Sequence, residues 1–285
     1  MIDYVRIRQK IYIDPAMILP AAHHVLTAAF ERHIHNKSIQ HGSPDPQSFD
    51  LAEFAATEPA ELIRVDSTGV VPVKGIISRE ISQLERACGA VGVEDVRQMI
   101  EDGLADPTID SLVLDVDSPG GGVTGLHELA EYISEAKSIK PIIAHTSGSM
   151  CSAAYYLSVG ASAVYSTGSA TVGSIGTYIA MLDESRALES TGRKVEMIKA
   201  GDHKGAGYPG TTLDDDQRAA LQTHVDELND QFQGFVTDHR PAVAMSTMDG
   251  RFFTGNTARD LGLVDSITDL NKAIADAQTL AHQIK

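Results

Sequence analysis

From about residue 61 onward, short apolar runs rich in Val and Ile alternate with segments whose apolar residues recur at helical spacing. That alternation constrains the fold more than any other feature. Parallel strands need long crossovers, usually helical, and those helices cover both faces of the sheet. "LIRVD" and "GVVPVKGIIS" are β-branched runs broken by Gly and Pro, as strands are. "VEDVRQMIEDGLAD" places Val93, Val96, Ile100 and Leu104 on one helical face. "SLVLDVD" (111–117) reads as a strand, "GLHELAEYISEAK" as a helix, and "KPIIAHTS", "AVYS" and "KVEMIKA" as further strands. "LDDDQRAALQTHVDELNDQFQGFVTDHR" is a long amphipathic helix whose acidic first turn suits the helix dipole. "TARDLGLVDSI" adds a short helix and a strand. The expected class is α/β, with a mostly parallel sheet and packed helices. No internal repeat of fixed period is present.

Residues 1–60 have a different texture and are expected to form an N-terminal segment, leaving 61–285 as one domain. A short helix is expected after Pro20, in "AAHHVLTAAFERHI". "HNKSIQHGSPDPQSFD" reads as an exposed linker. His23, His24, His33, His35 and His41 are scattered without a convincing metal-ligand spacing, so no metal is expected.

Net charge is −16, and an acidic surface repels phosphate backbones, so nucleic acid is not an expected partner. Two cysteines, Cys88 and Cys151, make no disulfide framework. They fit a reducing, cytoplasmic compartment. The N-terminal stretch has neither a signal-peptide layout nor an apolar run of about 18 residues, so no membrane anchor is expected.

Three turns follow expected strands: "DSPGGGV" (117–123), "SGSMCSAAYY" (147–156) and "GSATVGSIG" (168–176). Open α/β proteins build sites at the carboxyl ends of strands, where these turns would converge. The glycines of the first suit a tight turn, or a backbone N–H aimed at an oxyanion. No P-loop or G-x-G-x-x-G pattern is present. Ser152 opens an apolar helix, "SAAYYLSVGA". Serine is a favoured N-cap, yet a serine there also sits in positive potential that stabilises an alkoxide. A nucleophilic serine needs a base. No G-x-S-x-G elbow is present. His145, His203 and Lys204, in "IKAGDHKGAG", are the candidates. A lysine of ordinary pKa, about 10.4, becomes a base only when its surroundings strip its proton.

Together, "DSPGGG", "GSMCSAAYY", "TVGSIG", "IKAGDHKGAG" and the tail "DGRFFTGNTARDLGLVDSI" resemble the S49 serine peptidases, a family of signal peptide peptidases and phage head-maturation proteases. The likeness spans roughly residues 65–270. It implies a Clp-protease-like or crotonase-like fold, a ring-shaped homo-oligomer, protein or peptide substrates, and no cofactor. Position by position, it implies Ser152 as nucleophile, Lys204 as general base and Ser174 as the residue orienting that lysine. Gly121, with Gly120 beside it, and the N–H of Ala153 would form the oxyanion hole. His145 and His203 then fall to structural or supporting roles, and Cys151 to a small apolar filler. Many family members carry glycines where Ala153 and Ala154 stand; the alanines are expected to be tolerated sterically at the cost of a narrower cleft. Without the anchor of bacterial signal peptide peptidases, the sequence is more similar to the phage or prophage branch, whose enzymes cut scaffold or capsid proteins. The expected location is then the host cytoplasm or procapsid. A signal-peptide-peptidase-like role, an acyl-CoA enzyme of the crotonase type and a non-catalytic assembly protein are the rival readings.

Overall fold

A computed structural model describes residues 10, 14–24, 27–28, 60–87 and 89–284. The "HNKSIQHGSPDPQSFD" segment and Cys88 lie outside them. In chain order the strands are β1 (Ala16–Ile18), β2 (Ile63–Val65), β3 (Thr68–Lys74), β4 (Ile76–Ser78), β5 (Ala90–Gly92) and β6 (Ser111–Ser118). They continue as β7 (Gly120–Gly122), β8 (Ile142–Cys151), β9 (Ala163–Ser166), β10 (Thr171–Gly173), β11 (Phe252–Thr254) and β12 (Ser266–Ile267).

The main sheet runs in the order β11-β10-β8-β6-β3-β2, with β9 also on β8 and β12 on β9. Its central pairs, β3–β6, β6–β8 and β8–β10, are parallel, and only the outer β2 and β11 pair antiparallel. The sequence accounts for this. Leu112, Val113, Leu114 and Val116 on β6 and Ile142, Ile143 and Ala144 on β8 are all buried, as in a strand covered on both faces.

On one face lie the helices Val93–Ala105, Leu126–Ala136 and Ala153–Val159, which share a core with Leu112, Leu114, Val116 and Ile142. On the other, Ala273, Ile274 and Ala277 of the helix Leu270–Ile284 pack on Val70, Val113 and Ile143. Each fully buried Val, Leu or Ile contributes about 1.5–3 kcal/mol. The long helix Asp215–His239 begins in a capping box, with Asp214 accepting from Gln217 N–H at 2.7 Å.

A second sheet, β1-β7-β4-β5, sits beside the first. One of its two inner strands is the glycine run Gly120–Gly122. The register of β6 on β8 shifts between Val116 and Ser118, which bends the chain out of one sheet toward the other.

One expected strand is absent. Residues 194–200, "KVEMIKA", form no strand, and Ile198 is 95% exposed. A strand needs a neighbour for its N–H and C=O groups, and none of the described strands pairs with these residues. The N-terminal helix is seen where described, at residues 20–24 and 27–28.

Candidate active site

Three turns meet at the carboxyl edge of β6, β8 and β10. Ser118 pairs with Met150 and Cys151 pairs with Gly173, so Pro119–Gly122, Ser152 and Ser174 leave the sheet side by side. The β6 turn is braced by Asp117, whose Oδ1 accepts from Ser149 N–H at 3.0 Å. The sequence signalled the turns. It did not signal this brace, because Asp117 and Ser149 are joined only by strand register.

Ser152 links β8 directly to the helix Ala153–Val159 with φ 53° and ψ −118°. That backbone suits glycine, and for serine it costs about 1–3 kcal/mol. The hydroxyl makes no capping hydrogen bond, which removes the N-cap explanation for this serine. Its Oγ donates instead toward the Gly176 carbonyl at 3.5 Å, while Ser152 N–H donates to the Gly173 carbonyl at 2.7 Å. A serine on a strained strand-to-helix turn is the geometry of a nucleophile elbow, formed here without the G-x-S-x-G sequence.

Ser174 also has a positive φ, 53°, and its N–H donates to the Arg251 carbonyl at 2.7 Å. Among the described residues, the other non-glycine positions with positive φ are Asp66 and Glu80, both at the surface. Ser152 and Ser174 are buried, 1% and 5% exposed. The two strained buried residues are therefore the two serines expected to be functional.

The expected oxyanion donors divide. Gly120 N–H is engaged by Ser118 Oγ at 3.1 Å. Gly121 lies between β1 and β4, opposite Met17 and Ile77. A Cβ there would sit 1.8 Å from the Ile77 carbonyl oxygen, so only glycine fits. Ala153 is buried at the first position of its helix, where a helix leaves N–H groups without intrahelical acceptors.

Lys204 and Ser152 share no hydrogen bond in the single chain. Lys204 lies in an exposed turn over residues 201–207, its N–H donating to the Gly201 carbonyl. His203 is exposed in the same turn. His145 is buried on β8, and its Nε2–H donates to the Thr268 carbonyl at 3.1 Å. Burial holds its pKa below the ordinary 6.5. Cys151 is buried, and burial pushes its thiol up to about 12. That is far from the pKa of a reactive thiol. His23 is hydrogen-bonded to Tyr178. Among the described residues no group of three or more His, Cys, Asp or Glu is placed to hold a metal ion. His33, His35 and His41 lie outside those residues.

Residues 134–284, more than half of the chain, match Peptidase family S49. The chain belongs to peptidase family S49. The matched span contains Ser152, Ser174 and Lys204 and begins after the glycine turn. Capsid assembly protease C of Escherichia phage lambda is 31% identical over 74% of this chain and 48% of its own length. Head-tail preconnector protein GP5 of Enterobacteria phage P21 is 24% identical over 92% of this chain and 54% of its own. A putative signal peptide peptidase SppA of Enterococcus faecium is 31% identical over 57% of this chain and 48% of its own. The chain thus spans about half the length of these curated relatives. Among solved structures, a ClpP1 point mutant from Listeria monocytogenes is similar, with TM-score 0.44 and 14% identity over 72% of this chain and 94% of that one. A methylmalonyl CoA decarboxylase is similar with TM-score 0.41 and 14% identity over 80% and 75%. No helix among the described residues is long and apolar enough to cross a membrane.

Proposed function

We propose that this chain is a serine endopeptidase using a Ser152–Lys204 pair. The observation that carries the reading is Ser152 itself. It is buried, uncapped and strained at a strand-to-helix turn, one register step from a second strained serine. Strain of this kind persists where the surrounding fold enforces it, and it clusters at functional sites.

In this mechanism Ser152 Oγ attacks a peptide carbonyl while neutral Lys204 takes its proton. Lys204 then delivers that proton to the departing amine. Gly121 and Ala153 N–H groups hold the oxyanion, and water hydrolyses the acyl-enzyme. Ser174 orients the lysine.

Lys204 is exposed and not bonded to Ser152 in the single chain, and its surroundings support assembly as what completes the pair. Leu182, Met197, Ile198 and Tyr208 are exposed at 60%, 37%, 95% and 54%, all in the segment that carries the lysine. Apolar side chains gathered in one exposed segment mark an interaction surface. In a ring-shaped homo-oligomer this segment is covered, and the lysine is carried to a serine in a drier site. One phage relative bears the name capsid assembly protease, which supports capsid-assembly proteins as the substrates in this reading.

The test uses the assembled protein with casein and with a scaffold-type substrate. Ser152→Ala and Lys204→Ala are each expected to abolish cleavage, and a fluorophosphonate is expected to label the parent but not Ser152→Ala. Parental cleavage rates in both variants would refute the assignment. CoA-thioester binding without fluorophosphonate labelling would instead favour a crotonase-type enzyme. Co-assembly with a capsid protein without cutting it would favour an assembly role.

A further inference from the structure

Residues 16–18 lie across the glycine turn that neighbours Ser152. β1 runs antiparallel to β7, with Met17 opposite Gly121 and Ile18 opposite Gly120. On its other side Ala16 N–H donates to the Tyr178 carbonyl at 2.8 Å, and Tyr178 N–H donates back to the Ala16 carbonyl at 3.1 Å. Just beyond, Leu19 N–H donates to the Pro119 carbonyl at 2.9 Å.

Bonded and non-bonded pairs alternate along an antiparallel ladder. Leu19–Pro119 is a bonded pair, so Met17–Gly121 is the next, and Gly121 N–H is directed at the Met17 carbonyl. Gly121 N–H is the donor given above to the oxyanion. The strand also passes close to the nucleophile's own turn. A Cβ on Gly120 would lie 2.1 Å from the Met17 carbonyl oxygen, 3.0 Å from Ile18 Cα and 3.0 Å from the carbonyl oxygen of Cys151, the residue before Ser152.

Two features make this occupant replaceable. Backbone pairing on both sides reads no sequence, so another extended peptide can form the same bonds. The ladder is also short by construction. The next bonded partner would be Pro15, which has no N–H to give, and Pro20 follows Leu19 at the other end. Specificity rests on Met17, which is 1% exposed and part of the main core.

We propose that β1 is a built-in pseudosubstrate. It fills a slot between Gly120–Gly122 and Tyr178 that accepts an extended peptide with an apolar residue at the Met17 position, and it must leave before substrate enters. The proposal rests on the endopeptidase reading for the role of Ser152, whereas the slot itself is tested by binding alone.

The experiment uses the full chain with Ser152→Ala, so that nothing is cut, and a fluorescent peptide of sequence DPAMILPA. Apparent affinity scales with the fraction of molecules whose slot is open. Adding Ala16→Pro removes the N–H given to Tyr178, and losing one or two backbone bonds raises that fraction about three- to tenfold. The peptide is therefore expected to bind about three- to tenfold more tightly to Ala16→Pro than to its parent, and a peptide with Asp in place of Met is expected not to bind. Equal affinity for the two chains overturns the proposal. If circular dichroism finds Ala16→Pro unfolded, amide exchange decides instead on the Ser152→Ala chain. Saturating peptide must speed exchange at Ala16 and Leu19, and unchanged rates overturn the proposal. Absent proteolysis with these binding results intact would refute the endopeptidase reading and leave only the peptide slot and its displaceable occupant standing.

Discussion

Replacing Ser152 by Gly is expected to stabilise the protein while abolishing its chemistry. The residue holds φ 53° and ψ −118°. Such a backbone costs a residue bearing Cβ about 1–3 kcal/mol, and glycine is free of most of that cost. Glycine loses about 0.5–1 kcal/mol more backbone entropy than alanine on folding. The net gain of Ser152→Gly over Ser152→Ala is therefore about 0–2.5 kcal/mol, centred near 1. For a chain of this size that is a rise of a few degrees in Tm. Ser152→Ala keeps Cβ and its strain, losing only a hydroxyl whose bond to Gly176 is 3.5 Å long. It should match the parent within about 0.5 kcal/mol, whereas an N-cap serine would lose about 1 kcal/mol. Scanning calorimetry on the parent and the two variants separates the cases, with casein cleavage measured alongside. A glycine variant melting below the alanine variant would refute the strain argument. An alanine variant about 1 kcal/mol below the parent would restore the cap.

Other outcomes follow from the same geometry. Gly121→Ala forces a Cβ to within 1.8 Å of the Ile77 carbonyl oxygen, whereas at Gly122 a Cβ meets nothing within 4 Å. Urea titration should find Gly121→Ala about 1–3 kcal/mol or more less stable, and Gly122→Ala nearly unchanged. Burial keeps His145 neutral and lowers its pKa from 6.5, so unfolded chains bind a proton first as pH falls. Stability is then full above pH ~6.5 and declines as pH drops below that value toward the folded pKa, a slope that His145→Gln should reduce. With its thiol pushed up to about 12, Cys151 should resist Ellman's reagent in a folded Cys88→Ser variant and react only on unfolding.

Much of the architecture was legible in local sequence. β6 and β8 read as strands because burial on both faces demands continuous apolar runs, and the amphipathic pattern with its acidic first turn marked the helix Asp215–His239. "KVEMIKA" carried the same apolar pattern and formed nothing, because β propensity describes a residue's fit to a neighbour and none of the described strands pairs with it. β1 and β7 show the reverse. "AMI" is too short to announce a strand, and "GGG" has no preference for one, yet register makes strands of both.

Residue chemistry along the chain thus determined the α/β class, the apolar strands and the glycine- and serine-rich turns that end them. Those are local properties, written in periodicity and side-chain type. Tertiary structure alone decided that Ser152 and Ser174 emerge side by side under strain, that Gly121 is held between two strands, and that residues 16–18 lie across that glycine. Each depends on hydrogen-bond register between segments far apart in sequence, and register is a property of the assembled sheet.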